Sequence, residues 1–167
     1  GVPLKMRTSV LLPLALVAAL GACSGDSAPT AFSNPEAAMD AADSAKAAKD
    51  YVAAKASYQY ALENGSESLQ ADAMFGLLDV NIADLDEPGA IANFARLSSD
   101  FTASLTQGEL SRCIDVAVMA KMVDLSDKIL DYAISTYPEM KDALGKASLD
   151  LELIKTERPG AANMAEV

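Results

Sequence analysis

The sequence predicts an all-α fold, and three observations carry that prediction. Hydrophobic residues make up 51% of the 167-residue chain while aromatics reach only 5%, with alanine supplying much of the difference. Alanine-rich, aromatic-poor chains favour closely packed helices over sheets. Runs of Val, Ile and Thr that would read as strands are missing outside the N-terminus. From residue 35 onward apolar side chains recur with a 3.6-residue period. Met74, Leu78, Ile82 and Leu85 share one face; Leu110, Cys113, Ile114, Ala117 and Val118 share another; so do Met140, Leu144, Leu151 and Ile154.

The elements follow in order. Lys5 and Arg7 precede an apolar run from Val10 to Leu20. That run fits the h-region of a secretory signal and falls short of the roughly 20 apolar residues a membrane span needs. Residues 24–34 are small and polar with Pro29, the composition of a flexible tether. Asn34-Pro35-Glu36 then starts a helix, with Asn34 as N-cap and Pro35 in the first turn. Helices are expected over 35–48, 50–63, 69–84, 88–99, 107–122, 125–136 and 138–156. The breaks between them carry turn chemistry: Asn64-Gly65-Ser66, Asp86-Glu87-Pro88-Gly89, Ser98-Ser99-Asp100, Gly108 and Pro138. Arg158-Pro159-Gly160 closes the domain, leaving 158–167 as an expected frayed tail.

At the end of the apolar run, Leu20-Gly21-Ala22-Cys23 resembles the lipobox of bacterial lipoproteins. The resemblance implies cleavage between Ala22 and Cys23 and lipidation of the Cys23 thiol. It implies a true start at Met6, a signal peptide over 1–22, a lipidated tether over 23–34 and a folded domain over 35–157. Ser24 at the second mature position, where Asp would signal inner-membrane retention, implies the outer membrane, with the domain facing the periplasm. The other reading of this segment is an ordinary secretory signal with an incidental cysteine. Several acyl chains anchor stably where one does not. Removal of residues 1–22 would take away Lys5 and Arg7 and no acid, moving the formal charge from −11 to −13.

That charge argues against nucleic acid and against electrostatic attachment to anionic lipid, and it biases the surface toward basic partners. The chain contains no histidine, which removes the usual general base, the Ser-His and Cys-His pairs and the commonest zinc ligand. The acidic stretch from Asp79 to Glu87 fails as an EF-hand. Counted from Asp79, the glycine position is Asp84 and the twelfth is Ala90; counted from Asp84, the fifth is Pro88 and the twelfth is Ala95. Cys113, on an apolar helical face, reads as a buried inert thiol. Neither a catalytic residue, a metal ligand nor a cofactor is expected.

A repeat is also legible. "KDYVAAKASYQYALENG" from Lys49, "DEPGAIANFARLSSD" from Asp86 and "VDLSDKILDYAISTYP" from Val123 each open on a turn and place an aromatic in mid-helix: Tyr58, Phe94 and Tyr132. Each follows another amphipathic helix. Ala54, Tyr58 and Ala61 resemble the small-aromatic-small signature of the second helix of a tetratricopeptide repeat. The second segment keeps Ala90 and Phe94 with Leu97 third; the third keeps Tyr132, between Lys128 and Ser135, and the trailing Pro138. The family's Trp, Gly and Tyr positions in the first helices are not met, with Gly76 and Leu77 only near them. The resemblance covers about 35–138 and implies antiparallel helix pairs stacked as a short superhelix, with a capping helix at 138–156. It implies a protein-binding groove lined by first helices, placing Asp72, Phe75, Asp79 and Ile82 in the middle repeat. A groove that is acidic with an aromatic suits a basic or extended peptide segment. The expected function is a lipid-anchored, non-catalytic adaptor or assembly factor of the cell envelope. The alternatives are a permanent structural subunit of an envelope complex and a generic helical-bundle lipoprotein.

Overall fold

The computed structural model describes residues 32–157, so the expected signal segment, the expected cleavage and lipidation residues Ala22 and Cys23, most of the expected tether and the expected tail lie outside the described residues. Among the described residues all regular structure is helical. The elements are α1 (Pro35–Ala47), α2 (Tyr51–Asn64), α3 (Glu67–Ala83), α4 (Glu87–Asp100), α5 (Gln107–Met119), α6 (Val123–Thr136), α7 (Met140–Ala143) and α8 (Gly145–Thr156). A 3-10 turn, Thr102–Ser104, lies between α4 and α5. Successive helices pack as antiparallel pairs, α1 with α2, α3 with α4 and α5 with α6. The second helices α4 and α6 also touch, and α8 packs on both α5 and α6. This is an all-α helical-repeat fold.

The repeat is stricter than the sequence suggests. The second helices α2, α4 and α6 begin at Tyr51, Glu87 and Val123, so that 87 − 51 and 123 − 87 are both 36, and each has 14 residues. The first helices end at Ala47, Ala83 and Met119 with the same spacing. The turn within each pair is one conformation used three times. Lys49, Leu85 and Lys121 sit at φ 60°, 58° and 58°, the left-handed region. The next residue in each turn donates its N–H five residues back: Asp50 to Ala45 (2.9 Å), Asp86 to Asn81 (2.8 Å) and Met122 to Ala117 (3.0 Å). These are Schellman closures, which satisfy the last carbonyls of a helix. Such turns usually carry glycine, and here three non-glycine residues hold the conformation.

The residue that closes each turn is also the cap of the next helix. Asp50 accepts from the Ala53 N–H at 3.1 Å and Asp86 from the Gly89 N–H at 3.0 Å. The third pair has Met122 at this place and no cap of its own. Its orphan donor, the Leu125 N–H, is met by the Glu87 carboxylate from the start of α4, at 3.4 Å. A side chain of one pair thus caps the next. Glu87→Ala is expected to destabilise the fold by about 1 kcal/mol, the worth of a lost N-cap. Protection of the first turn of α6 in amide exchange should fall more than that of α2, and equal loss in both would remove this role.

The register expected for the third repeat is corrected by two residues. A 36-residue offset from Tyr58 and Phe94 leads to Leu130, not Tyr132. The set Ser126, Leu130 and Ala133 is buried, as are Ala54, Tyr58 and Ala61 and Ala90, Phe94 and Leu97. Ser126 fills the small position because its hydroxyl donates to the Met122 carbonyl at 2.7 Å, which removes the cost of burying it. Tyr132 is half-buried and packs edge-on against Phe94, with ring centroids 5.7 Å apart at 89°. Two helix ends also differ from expectation. The fifth helix stops at Met119, because the chain reverses at Lys121. The last helix is broken into α7 and α8 at Leu144 and Gly145, where glycine weakens the helix.

Candidate functional site

The first helices α1, α3 and α5 together line a cleft of about 170 Å³. Met39, Asp43 and Lys46 come from α1, Tyr58 from α2, Asp72, Phe75, Gly76 and Asp79 from α3, and Glu109 and Arg112 from α5. The helical spacing explains the set on α3. Residues 72, 75, 76 and 79 are three to four apart and share one face.

Three of the four expected groove residues are therefore brought together: Asp72, Phe75 and Asp79. Ile82 is not with them and is corrected here. It is 3% exposed and belongs to the hydrophobic core. It lies near the end of α3, where its carbonyl accepts the Leu85 N–H and the chain turns back into α4. An apolar side chain in that last turn is covered by the fold and unavailable to a partner.

Arg112 organises the floor, and the sequence reading missed it. Its Nη1 donates to Asp79 Oδ1 at 2.9 Å and its Nε to Glu109 Oε2 at 3.0 Å. The guanidinium also lies 5.8 Å from the centre of the Phe75 ring, a cation–π distance. Burial works against its charge, but the hydrogen bond and charge of Asp79, and the hydrogen bond to Glu109, raise its pKa above the usual value. It is a fixed cation. The repeat would have found it, because 112 − 36 is 76. Arg112 on α5 occupies the place of Gly76 on α3, and Gly76 faces the preceding pair, against the Tyr58 ring.

On the other side of the cleft, the Tyr58 hydroxyl donates to Asp43, and the Lys46 ammonium lies 5.9 Å from the Tyr58 ring centre. Asp43 and Asp72 have no cation within 4 Å among the described residues, whereas Asp79 and Glu109 share Arg112. The cleft so combines two aromatic rings already covered by cations with two carboxylates that lack a cation.

No protein-family model, curated protein or solved structure matches this chain. What the cleft can do follows from its side chains. Among the described residues no group of three or more Cys, Asp or Glu is arranged to hold a metal ion. Four acids, Asp43, Asp72, Asp79 and Glu109, line the cleft together with Met39, Tyr58 and Phe75. That arrangement can receive a cationic side chain with an aliphatic stem.

Cys113, next to Arg112, is buried and unpaired as a thiol. Burial pushes its pKa up to about 12; Arg112 opposes this, and Asp79 and Glu109 reinforce it. Burial, with the hydrogen bond and charge of Asp43, raises Tyr58 as well. Both groups stay neutral in the fold at pH values where the unfolded chain ionises them, near 9.0 for the thiol and 10.0 for the phenol. The unfolded state then binds fewer protons than the native state, so stability falls as pH rises. Their contribution is whole below about pH 9 and is lost as pH climbs toward the folded values. The melting temperature is expected to drop between pH 9 and pH 11. The drop should be shallower in Tyr58→Phe and in Cys113→Ala, whatever their melting temperatures at pH 7. An unchanged slope in both variants would refute this account.

Proposed function

We propose that this chain is a non-catalytic bacterial lipoprotein whose tetratricopeptide-like domain binds a partner protein at the cell envelope. The observation that carries the reading is the cleft across α1, α3 and α5, where Asp43 and Asp72 stand beside Phe75 and Met39 with no cation within 4 Å among the described residues. A basic, extended segment of a partner is the occupant it suits. The lipobox-like Leu20-Gly21-Ala22-Cys23 supports the envelope location. A lipidated Cys23, followed by the polar residues up to Asn34, would hold the domain at the outer membrane. Tethering would raise its effective concentration there. The lack of histidine supports a binding role over catalysis.

A second reading, a permanent structural subunit, has one observation in its favour. Leu149 and Leu153 on α8 are 63% and 55% exposed and lie one turn apart on the side opposite the buried Ala147 and Leu151. Site-specific photocrosslinking in intact cells separates the two. A photoreactive residue at position 72 should capture a partner in the adaptor reading. One at position 149 or 153 should do so in the subunit reading, in stoichiometric amount. Capture at 149 with none at 72 would overturn the adaptor reading. Mass spectrometry of the mature N-terminus tests the anchor: acylated Cys23 is expected, and a free thiol there, or residues 6–22 still attached, would overturn it.

A further inference from the structure

The cleft has a neighbour on the far side of α5. A cavity of about 490 Å³ lies between α5 and the α7–α8 segment. Ser111, Asp115, Val118 and Met119 line it from α5, and Ala143, Leu144, Lys146, Ala147 and Asp150 from the other wall. Its lining is mixed but mainly aliphatic, and Met119 is 83% exposed. Glu109 and Arg112 of α5 turn toward the first cleft, and Ser111, Asp115, Val118 and Met119 toward the second cavity. One helix is the ridge between two depressions.

The 36-residue repeat gives the two a common origin. Asp43, Asp79 and Asp115 occupy one repeat position on α1, α3 and α5, since 79 − 43 and 115 − 79 are both 36. A row of carboxylates thus crosses the first helices, with Asp43 and Asp79 in the cleft and Asp115 in the cavity. Only Asp79 in that row has a cation within 4 Å among the described residues. The cation in the second cavity, Lys146, is held by Asp150 at 2.7 Å.

We infer that the two depressions are anchor sites for one extended segment of a partner protein, taking a cationic side chain at the cleft and a flexible aliphatic side chain at the cavity, four residues apart. This rests on the adaptor reading and specifies its ligand. The charge decides the occupant at the cleft. A second copy of this chain would bring the same net charge of −11 against the carboxylate row, so the surface disfavours itself and favours a cation. The exposed thioether of Met119 and the methyl groups of Ala143 and Ala147 decide it at the cavity, where a flexible apolar side chain finds its contacts.

Spacing follows from helix geometry. Neighbouring helix axes lie about 8–10 Å apart and each helical residue rises about 1.5 Å, so one interaxial step and the six-residue rise from Arg112 to Val118 separate the floor of the cleft from the cavity by roughly 13 Å. An extended chain advances about 3.3 Å per residue with side chains alternating between faces. A spacing of four spans that distance and keeps both anchors on the protein side, whereas odd spacings turn one away.

The test uses the full 167-residue chain and fluorescein-labelled nine-residue peptides of serine and threonine, read by fluorescence anisotropy. The lead peptide carries Arg at its third place and Leu at its seventh. Three others replace the Arg by Ser, replace the Leu by Ser, or bring the Leu next to the Arg. The lead is expected to bind at least tenfold more tightly than each of the three. Asp72→Asn should weaken the lead about fivefold and leave the peptide lacking Arg unaffected. Ala143→Trp, which fills the cavity from an exposed position, should weaken the lead and spare the peptide lacking Leu. No binding of the lead, equal binding of the adjacent-anchor peptide, or variants that weaken all peptides alike would each overturn the two-anchor proposal. Capture of a partner at position 72 in cells would leave the adaptor reading standing in that event.

Discussion

Tyr58→Ala is expected to lower the free energy of unfolding by about 3–5 kcal/mol, the range for truncating a buried aromatic. Tyr58 is 1% exposed and joins three helices. It belongs to α2, its hydroxyl donates to Asp43 on α1, and its ring lies against Gly76 on α3. That approach is so close that a Cβ at position 76 would fall 2.6 Å from the Tyr58 Cζ, which explains why this buried place on α3 holds glycine. Domains of this size are stable by only about 5–15 kcal/mol, so the loss would be a large share. Urea denaturation with an unchanged slope would report it. Tyr58→Phe separates the two components, because it keeps the ring and loses only the hydrogen bond to the Asp43 carboxylate, worth about 1.5–3 kcal/mol. A cost for Tyr58→Ala no greater than that of Tyr58→Phe would mean that the ring does not couple the first pair to the second.

The places where the sequence was readable are those where a cap or a proline marks a boundary. Asn34-Pro35 and Asp86-Glu87-Pro88 start α1 and α4 as expected, since Asn34 and Asp86 accept the N–H groups of Ala37 and Gly89. Apolar periodicity located every long helix. The strict 36-residue offset was hidden for three physical reasons. The turns that set it use Lys49, Leu85 and Lys121 in a conformation that usually announces itself by glycine. Helix α3 starts early, capped by Ser66, and has 17 residues where α1 and α5 have 13, which displaces any alignment made from helix beginnings. Met122 stands where Asp50 and Asp86 mark the earlier turns, and Glu87 from another helix supplies the missing acceptor.

The cleft was legible to the extent that it lies on one helix. Asp72, Phe75 and Asp79 are related by helical spacing alone, and they do share the cleft. Ile82 continues the same pattern by one turn, but burial at a helix end depends on what the following chain covers, which periodicity does not contain. Asp43, Tyr58, Glu109 and Arg112 reach the cleft from other helices, and only the correct inter-repeat offset brings them there. Arg112 is the clearest case, because alone it is an unremarked basic residue beside a core cysteine. Aligned with Gly76 it faces back across the pair boundary toward Asp79.

That offset can be tested in the third pair, where the sequence and the structure choose different residues. Leu130→Ala is expected to cost about 2–5 kcal/mol, because Leu130 is 7% exposed at the position equivalent to Tyr58 and Phe94. Tyr132→Ala removes a half-buried ring whose edge-on contact with Phe94 is worth about 0.5–1.5 kcal/mol, and it should cost less despite deleting more atoms. The comparison is made on urea midpoints for the two variants and for their double. The reverse order would restore a 38-residue spacing for the second helix of the third pair. It would leave Asp115 in line with Asp43 and Asp79, since Ala47, Ala83 and Met119 end the first helices at the same 36-residue spacing whatever residue of α6 fills the core. The carboxylate row therefore rests on the register of α1, α3 and α5, and the two α6 variants test how the second helices join it in one repeat.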